Sequence, residues 1–284
     1  MKTVLSFTDG SPYAASVYDH SLWAAKQLKS ALRIVHTLNP HREKAALADF
    51  SGKIGPEAYD SLMDDLVRFD RERARLSQVK GEAILAEALS HAKAGGVEEV
   101  DTELRHGLFV DVLEDIQENV DLIVIGKRGQ NHAIAMKHLG TNIERTLRVA
   151  KCPVLVSARA FKPIKRALLA YDAGPSARKA LDYIASNSLF EGVQVDILCV
   201  GRETDRTRNE VSDAAEKLRK AGLACESRII EGEPAKVITS DVDSYGYDLL
   251  AMGAYGHSRA KHLLIGSTTA TLARDCLVPI LMFR

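Results

Sequence analysis

The sequence predicts an α/β protein made of two tandem domains, each built on a five-stranded, mostly parallel sheet. Three observations carry that prediction. Short branched apolar runs alternate with amphipathic stretches along the chain, and this alternation gives parallel sheets covered by helices on both faces. The plan occurs twice: VDLIVIGKRG returns as YDLLAMGAYG, and CPVLVS as VPILMF. Such a repeat marks a tandem of similar units. The length of 284 residues suits two domains of about 100–150 residues each.

In order, TVLSFTDGS predicts a strand ending at Asp9-Gly10-Ser11. PYAASVYDHSLWAAKQLKS puts Ala14, Val17, Tyr18, Leu22, Ala25 and Leu28 at helical spacing. ALRIVHTL is a second strand. In the charged stretch from 41 to 95, Tyr59, Leu62, Met63, Leu66 and Phe69 predict one or two amphipathic helices. EEVDTELRHG (strand), LFVDVLEDIQEN (helix), VDLIVIGKRG (strand into a glycine loop), TNIERTLRVA (helix) and CPVLVSA (strand) complete the first unit.

The order restarts at 164. IKRALLAYDAG is a strand, and PSARKALDYIASNSL a helix with Pro175 in its first turn, where a missing N–H costs little. VQVDILCVG is a strand, and RNEVSDAAEKLRKAG a helix closed by Gly222. ACESRIIEGE, PAKVITSDVDSY, YDLLAMGAYG, STTATLARDC and VPILMF then alternate strand and helix to the end. The expected domains are 1–160 and 161–284, meeting at ARAFKP. Asp9 to Gly126 spans 117 positions and Asp172 to Gly253 only 81. The first unit therefore carries about 36 extra residues, placed in the helical region near 41–80.

Composition narrows the function classes. Lys+Arg and Asp+Glu both number 38, which argues against nucleic acid as the main partner, since phosphate binding shows as a basic excess. Cys152, Cys199, Cys225 and Cys276 form no CxxC pair, so no zinc site is expected. They read as reduced, buried thiols of a cytoplasmic protein. MKTVLSFTDGS turns polar too soon for a signal-peptide core, and no apolar run is long enough to insert in a membrane. GxxxxGK[ST], GxGxxG, HExxH and SGGxDS are all absent, removing the main support for common NTPase, dehydrogenase, metalloprotease and pyrophosphatase chemistry.

The informative stretch is GAYGHSRAKHLLIGSTT, 253–269. Three glycines cost backbone entropy unless a turn or a close approach needs them. Gly253 ends a strand, Gly256 lies in the loop, and Gly266-Ser267-Thr268 open a helix. A helix start presents unpaired N–H groups and a favourable dipole to an anion. Asp172, at the end of the unit's first strand, suits ribose or adenine donors rather than phosphate. Cys199-Val200-Gly201 offers an apolar lip for a base. Asp172 and Gly253 both belong at the carboxyl edge of the sheet, where strand order reverses. The competing reading of Asp172 is a helix cap. His257 and His262 sit in the loop without a visible Ser-His-Asp or Cys-His arrangement, so phosphate contact or solvation outweighs catalysis.

The spacing Gly253-x2-Gly256-x9-Gly266-Ser267 resembles the ATP-binding motif of universal stress proteins. The resemblance extends to strand-Asp-x-Gly at the start, to Gly232-x-Pro234 and to the closing Val-Pro-Ile-Leu strand. It implies a Rossmann-like sheet of order 3-2-1-4-5 in each half and adenine nucleotide, ATP with or without magnesium, in the second. By resemblance the binding residues are Asp172, Val200, Met252, Gly253, Gly256, His257, Gly266, Ser267 and Thr268. It also implies that Val154-Leu155-Val156 pairs antiparallel with Ile280-Leu281-Met282, making the chain its own pseudo-dimer, with a homodimer and an unknown protein partner left open.

The first half departs from the motif. It reads Gly126-Lys127-Arg128-Gly129, then ten residues, then Gly140-Thr141-Asn142. The longer spacing and Asn142 weaken it, although Lys127 and Arg128 are still able to hold an anion. Three functions stand at this point: an ATP-binding stress-response regulator, a slow ATP hydrolase, and a nucleotide-free interaction scaffold. The inserted helices read as a partner surface or a lid over the first site.

Overall fold

The computed structural model describes residues 2–39, 56–127, 141–255 and 266–284. The first half runs β1 (Thr3–Thr8), α1 (Ala14–Leu28), β2 (Ala31–Leu38), α2 (Pro56–Ala94), β3 (Val100–His106), α3 (Phe109–Ile116), β4 (Val120–Gly126), α4 (Thr141–Val149) and β5 (Val154–Ser157). The second half runs β6 (Arg166–Ala170), α5 (Pro175–Ser186), β7 (Gln194–Val200), α6 (Asp205–Lys220), β8 (Ser227–Ile230), α7 (Pro234–Tyr245), β9 (Leu249–Gly253), α8 (Ser267–Asp275) and β10 (Ile280–Phe283).

The ten strands form one sheet in the order β3-β2-β1-β4-β5-β10-β9-β6-β7-β8. Each half therefore has the predicted 3-2-1-4-5 order. Within a half every pairing is parallel. The seam between halves is antiparallel and sets Ile280 opposite Val156, Leu281 opposite Leu155 and Met282 opposite Val154.

Alternate strand residues feed opposite faces. Val4, Leu122 and Leu155 pack with α1, α2, α5 and α6, while Leu5, Ile123 and Val154 pack with α3, α4, α7 and α8. Burial on both faces explains the near-continuous apolar strand sequences. Further contacts join the halves. Ser188 Oγ donates to the Gln27 carbonyl at 2.8 Å, and Gln27 Nε2 donates to the Glu191 carbonyl at 3.1 Å.

The inserted region differs from the simplest expectation. Residues 56–94 form a single helix of 39 residues, α2, about 58 Å long. It ends at Gly95-Gly96, where Gly96 has φ +76. α6 in the second half ends the same way, before Gly222 at φ +85.

Candidate functional site

The order reverses between β6 and β9, which place Ala170 beside Met252. The chain leaves both strands at their carboxyl ends, the edge at which such sheets bind ligands. After β6, Tyr171 is buried and Asp172 turns the chain into α5. Asp172 Oδ1 accepts from the Gly174 N–H at 2.8 Å, a side-chain turn typical of Asp. A Cβ on Gly174 would stand 2.9 Å from that oxygen, so glycine permits the contact. Between them Ala173 has φ +58, a conformation that costs an L-residue about 1–2 kcal/mol. Its carbonyl accepts from Arg178 Nε at 2.9 Å, which braces the turn.

Asp172 and Val200 line one cavity of about 210 Å³ with Cys199, Arg202, Thr207 and Glu210. Pockets that enclose a whole ligand measure roughly 300–1,000 Å³, so this one accommodates a single moiety such as a base or a sugar. Its far wall is the start of α6, where Thr204 Oγ1 caps the helix by accepting from the Thr207 N–H at 3.1 Å. Glu210 is held by Arg206 at 3.2 Å and Arg178 at 3.6 Å. Burial, with the charges of Asp172 and Glu210, pushes the Cys199 thiol up from its ordinary value. A raised thiol is a poorer source of the nucleophilic thiolate.

β9 supplies the second element. Met252 is buried in the core. A Cβ on Gly253 would meet Ser176 Oγ at 2.4 Å and the Ala177 nitrogen at 3.0 Å. Gly253 is thus needed for close approach, but the group that approaches is the first turn of α5. The loop entrance is pinned three ways. The Ala254 N–H donates to the Phe283 carbonyl at 2.7 Å, Thr269 Oγ1 donates to the Ala254 carbonyl at 3.2 Å, and Ser176 Oγ donates to the Tyr255 carbonyl at 2.7 Å. Gly256 and His257, with His262, lie outside the described residues. Beyond them Gly266 precedes α8 without a side-chain cap, and the first turn carries no acid. Ser267 is exposed and Thr268 half-buried. The helix leaves the first-turn amides without partners of its own.

The first half has the same turn and a different roof. Asp9 Oδ1 accepts from the Ser11 N–H at 3.0 Å, and Gly10 has φ +64. Counting back from Gly96 and Gly222 aligns Gly81 with Thr207 and Ile84 with Glu210. Ile84, only 8% exposed, fills the space. A Cβ on Gly10 would lie 2.5 Å from Ile84 Cδ1, and one on Gly81 would lie 2.7 Å from Leu104 Cδ1. At the position corresponding to the second-half cavity, Ile84 of α2 packs over Gly10. Lys127, expected to hold an anion, instead gives its ammonium to the Cys276 carbonyl across the seam. Arg128 lies outside the described residues.

Sequence reasoning brought Asp172, Val200 and Gly253 to one edge and missed Arg178, Glu210 and Thr207. The signals available for these were a cap at Thr204 and an Arg one turn into α5. Among the described residues no group of three His, Cys, Asp or Glu side chains is placed to hold a metal.

The fold and the paired switch-point turns define a tandem of two parallel α/β domains fused through their last strands. The universal stress protein family model matches residues 1–158 and 201–284, and the chain belongs to that family. The universal stress protein Slr1230 of a Synechocystis strain is 35% identical over 288 residues, covering 100% of both chains. The Bacillus subtilis universal stress protein YxiE is 27% identical over 143 residues, covering 41% of this chain and 97% of its own. A universal stress protein from Archaeoglobus fulgidus shares the fold, with TM-score 0.73 and 22% identity, covering 99% of this chain and 98% of its own. Among the described residues no helix is long and apolar enough to cross a membrane.

Proposed function

We propose that the chain is a nucleotide-dependent stress-response regulator that binds one ATP, with or without magnesium, in its second domain. The domains divide near residue 160. The observation that carries this reading is the contrast at the two switch points: an open cavity beside Asp172 and Val200, and Ile84 packed over Gly10 at the corresponding place. Asp172 and Glu210 repel phosphate and accept from ribose or adenine donors. Val200 gives the base an apolar wall. The phosphates then run toward α8, where Gly266, Ser267 and Thr268 present amides, hydroxyls and the positive end of the dipole. Met252 and Gly253 support the strand end, and Gly256 and His257 complete the motif.

The two carboxylates that face the cavity, Asp172 and Glu210, stand at the ribose and base end, away from the phosphates at α8, which favours a sensor over rapid turnover. The loop entrance also touches the other half, because Tyr255 Oη donates to the Leu147 carbonyl at 3.3 Å. Ligand at this loop thereby acts on the seam between domains, the physical route to a conformational readout. Isothermal titration of ATP with magnesium into wild type and Gly256→Val/Gly266→Val tests the reading. One site per chain, lost in the double variant, is expected. No binding to folded wild type leaves a scaffold. Steady phosphate release from purified protein makes the chain a slow hydrolase instead.

A further inference from the structure

The amino-terminal part of α2 leaves the body of the protein. From 63 to 80 no residue is buried, and burial begins at Gly81. That is about 27 Å of helix without a core of its own. Four of the six exposed large apolar side chains among the described residues lie on it: Val67, Phe69, Leu76 and Val79. Phe69, Leu76 and Val79 are 61%, 55% and 52% exposed, and their seven- and three-residue spacing puts them on one face. Val67 lies on the opposite side. A contiguous exposed apolar stripe on a charged helix marks an interaction surface.

Charge along the same segment identifies the occupant. Positions 57–65 contain Glu57, Asp60, Asp64 and Asp65 and no base. Positions 68–80 contain Arg68, Arg71, Arg73, Arg75 and Lys80 against Asp70 and Glu72. The helix is acidic up to Asp65 and mainly basic from Arg68 onward. A parallel copy sets like charge against like. An antiparallel copy sets acid against base at both ends, as a two-fold, self-complementary interface requires. With the axis at Phe69, position 65 faces 73, which sets Asp65 against Arg73 twice across the two-fold axis. The in-helix pairs Arg68–Asp65 and Arg75–Glu72 are exposed. Such solvated pairs are weak and exchange readily for intermolecular ones.

We propose that residues 63–80 of α2 form an interface with a second copy of this chain, two α2 helices packing antiparallel about Phe69. The inserted helix then has two uses: its carboxyl part closes the first switch point, and its amino part joins two pseudo-dimers.

Sedimentation equilibrium tests this with the full chain. Wild type is expected to reach twice the chain mass within about 1–100 μM, the range suited to a small interface. Phe69→Asp/Leu76→Asp should stay at chain mass with unchanged far-UV circular dichroism. The decisive pair is Asp65→Lys and Arg73→Glu. Each should be monomeric alone, because acid-to-base contacts become repulsive, and an equimolar mixture should recover the dimer. A monomeric wild type overturns the proposal and leaves the stripe to a different protein or another segment of this chain. A dimer that survives every substitution also overturns it and assigns dimerisation to another face.

Discussion

The two switch points share a backbone and differ in what covers it. Gly10 and Ala173 both adopt a left-handed conformation, at φ +64 and +58, each following an Asp whose carboxylate caps the turn. They differ by one methyl. In the first half that methyl's place is taken by Ile84. In the second, Ala173 lines a cavity whose opposite wall carries Glu210. The same turn is thus left open in one half and covered in the other by one aliphatic side chain of a neighbouring helix, admitted by one glycine.

The contrast can be broken from either side. The largest effect is expected for Ile84→Ala, which empties the first-half space. Large-to-small changes of this kind cost about 2–5 kcal/mol, read as a lower urea midpoint. An unchanged midpoint means that Ile84 is not the filling group. Next comes Gly253→Ala, where the new Cβ meets Ser176 and Ala177. Overpacking costs about 1–3 kcal/mol, and the variant should also bind ATP more weakly, because the first turn of α5 is displaced.

A third prediction uses the seam. His20 and Tyr183 occupy matching positions in α1 and α5, eleven residues after Asp9 and Asp172. His20 packs edge-on to Phe161 and Tyr183 to Phe283, and His20 Nε2 and Tyr183 Oη are buried without a hydrogen-bond partner. Burial lowers the His20 pKa against the opposing pull of the Ser16 carbonyl and Asp19. The neutral form is favoured in the fold, so stability is full above the unfolded value of about 6.5 and declines as pH falls below it, by at most about 1.4 kcal/mol per pH unit. Burial, followed by the charges of Asp121 and Cys152, raises Tyr183. Its contribution is therefore present below about pH 10 and declines above it. His20→Gln should flatten the acid limb of a stability–pH curve and leave the alkaline limb alone. An unchanged acid limb refutes the assignment.

The smallest expected effect is a gain. Ala173→Gly relieves the left-handed alanine and should stabilise by up to about 1 kcal/mol, the strain less the added unfolded-state entropy. A loss of stability there means that the methyl is packed rather than strained.

Much of this was legible in the sequence because it is local or repeated. Apolar runs and their order gave the strands. The repeat of Asp-x-Gly/Ser after the first strand of each half located both switch points. The register of Val154–Val156 against Ile280–Met282 came with the resemblance. What stayed hidden is the meeting of elements distant in sequence. Ile84 reads as an ordinary helix residue until α2 is laid across Gly10, 74 positions away. Lys127 reads as an anion ligand until the Cys276 carbonyl arrives from the other half. Gly253 reads as making room for phosphate, and makes room for Ser176. Arg178 and Glu210 carry no motif, and their value comes from bracing Ala173 and each other across two helices.

The most direct measurement moves the plug. Ala173→Gly/Glu210→Ile rebuilds the first-half roof over the second-half turn. Titrated with ATP and magnesium beside wild type, and checked for an intact fold by its thermal unfolding, it should lose the single site. Undiminished binding by that variant would contradict the account and place the nucleotide elsewhere in the chain.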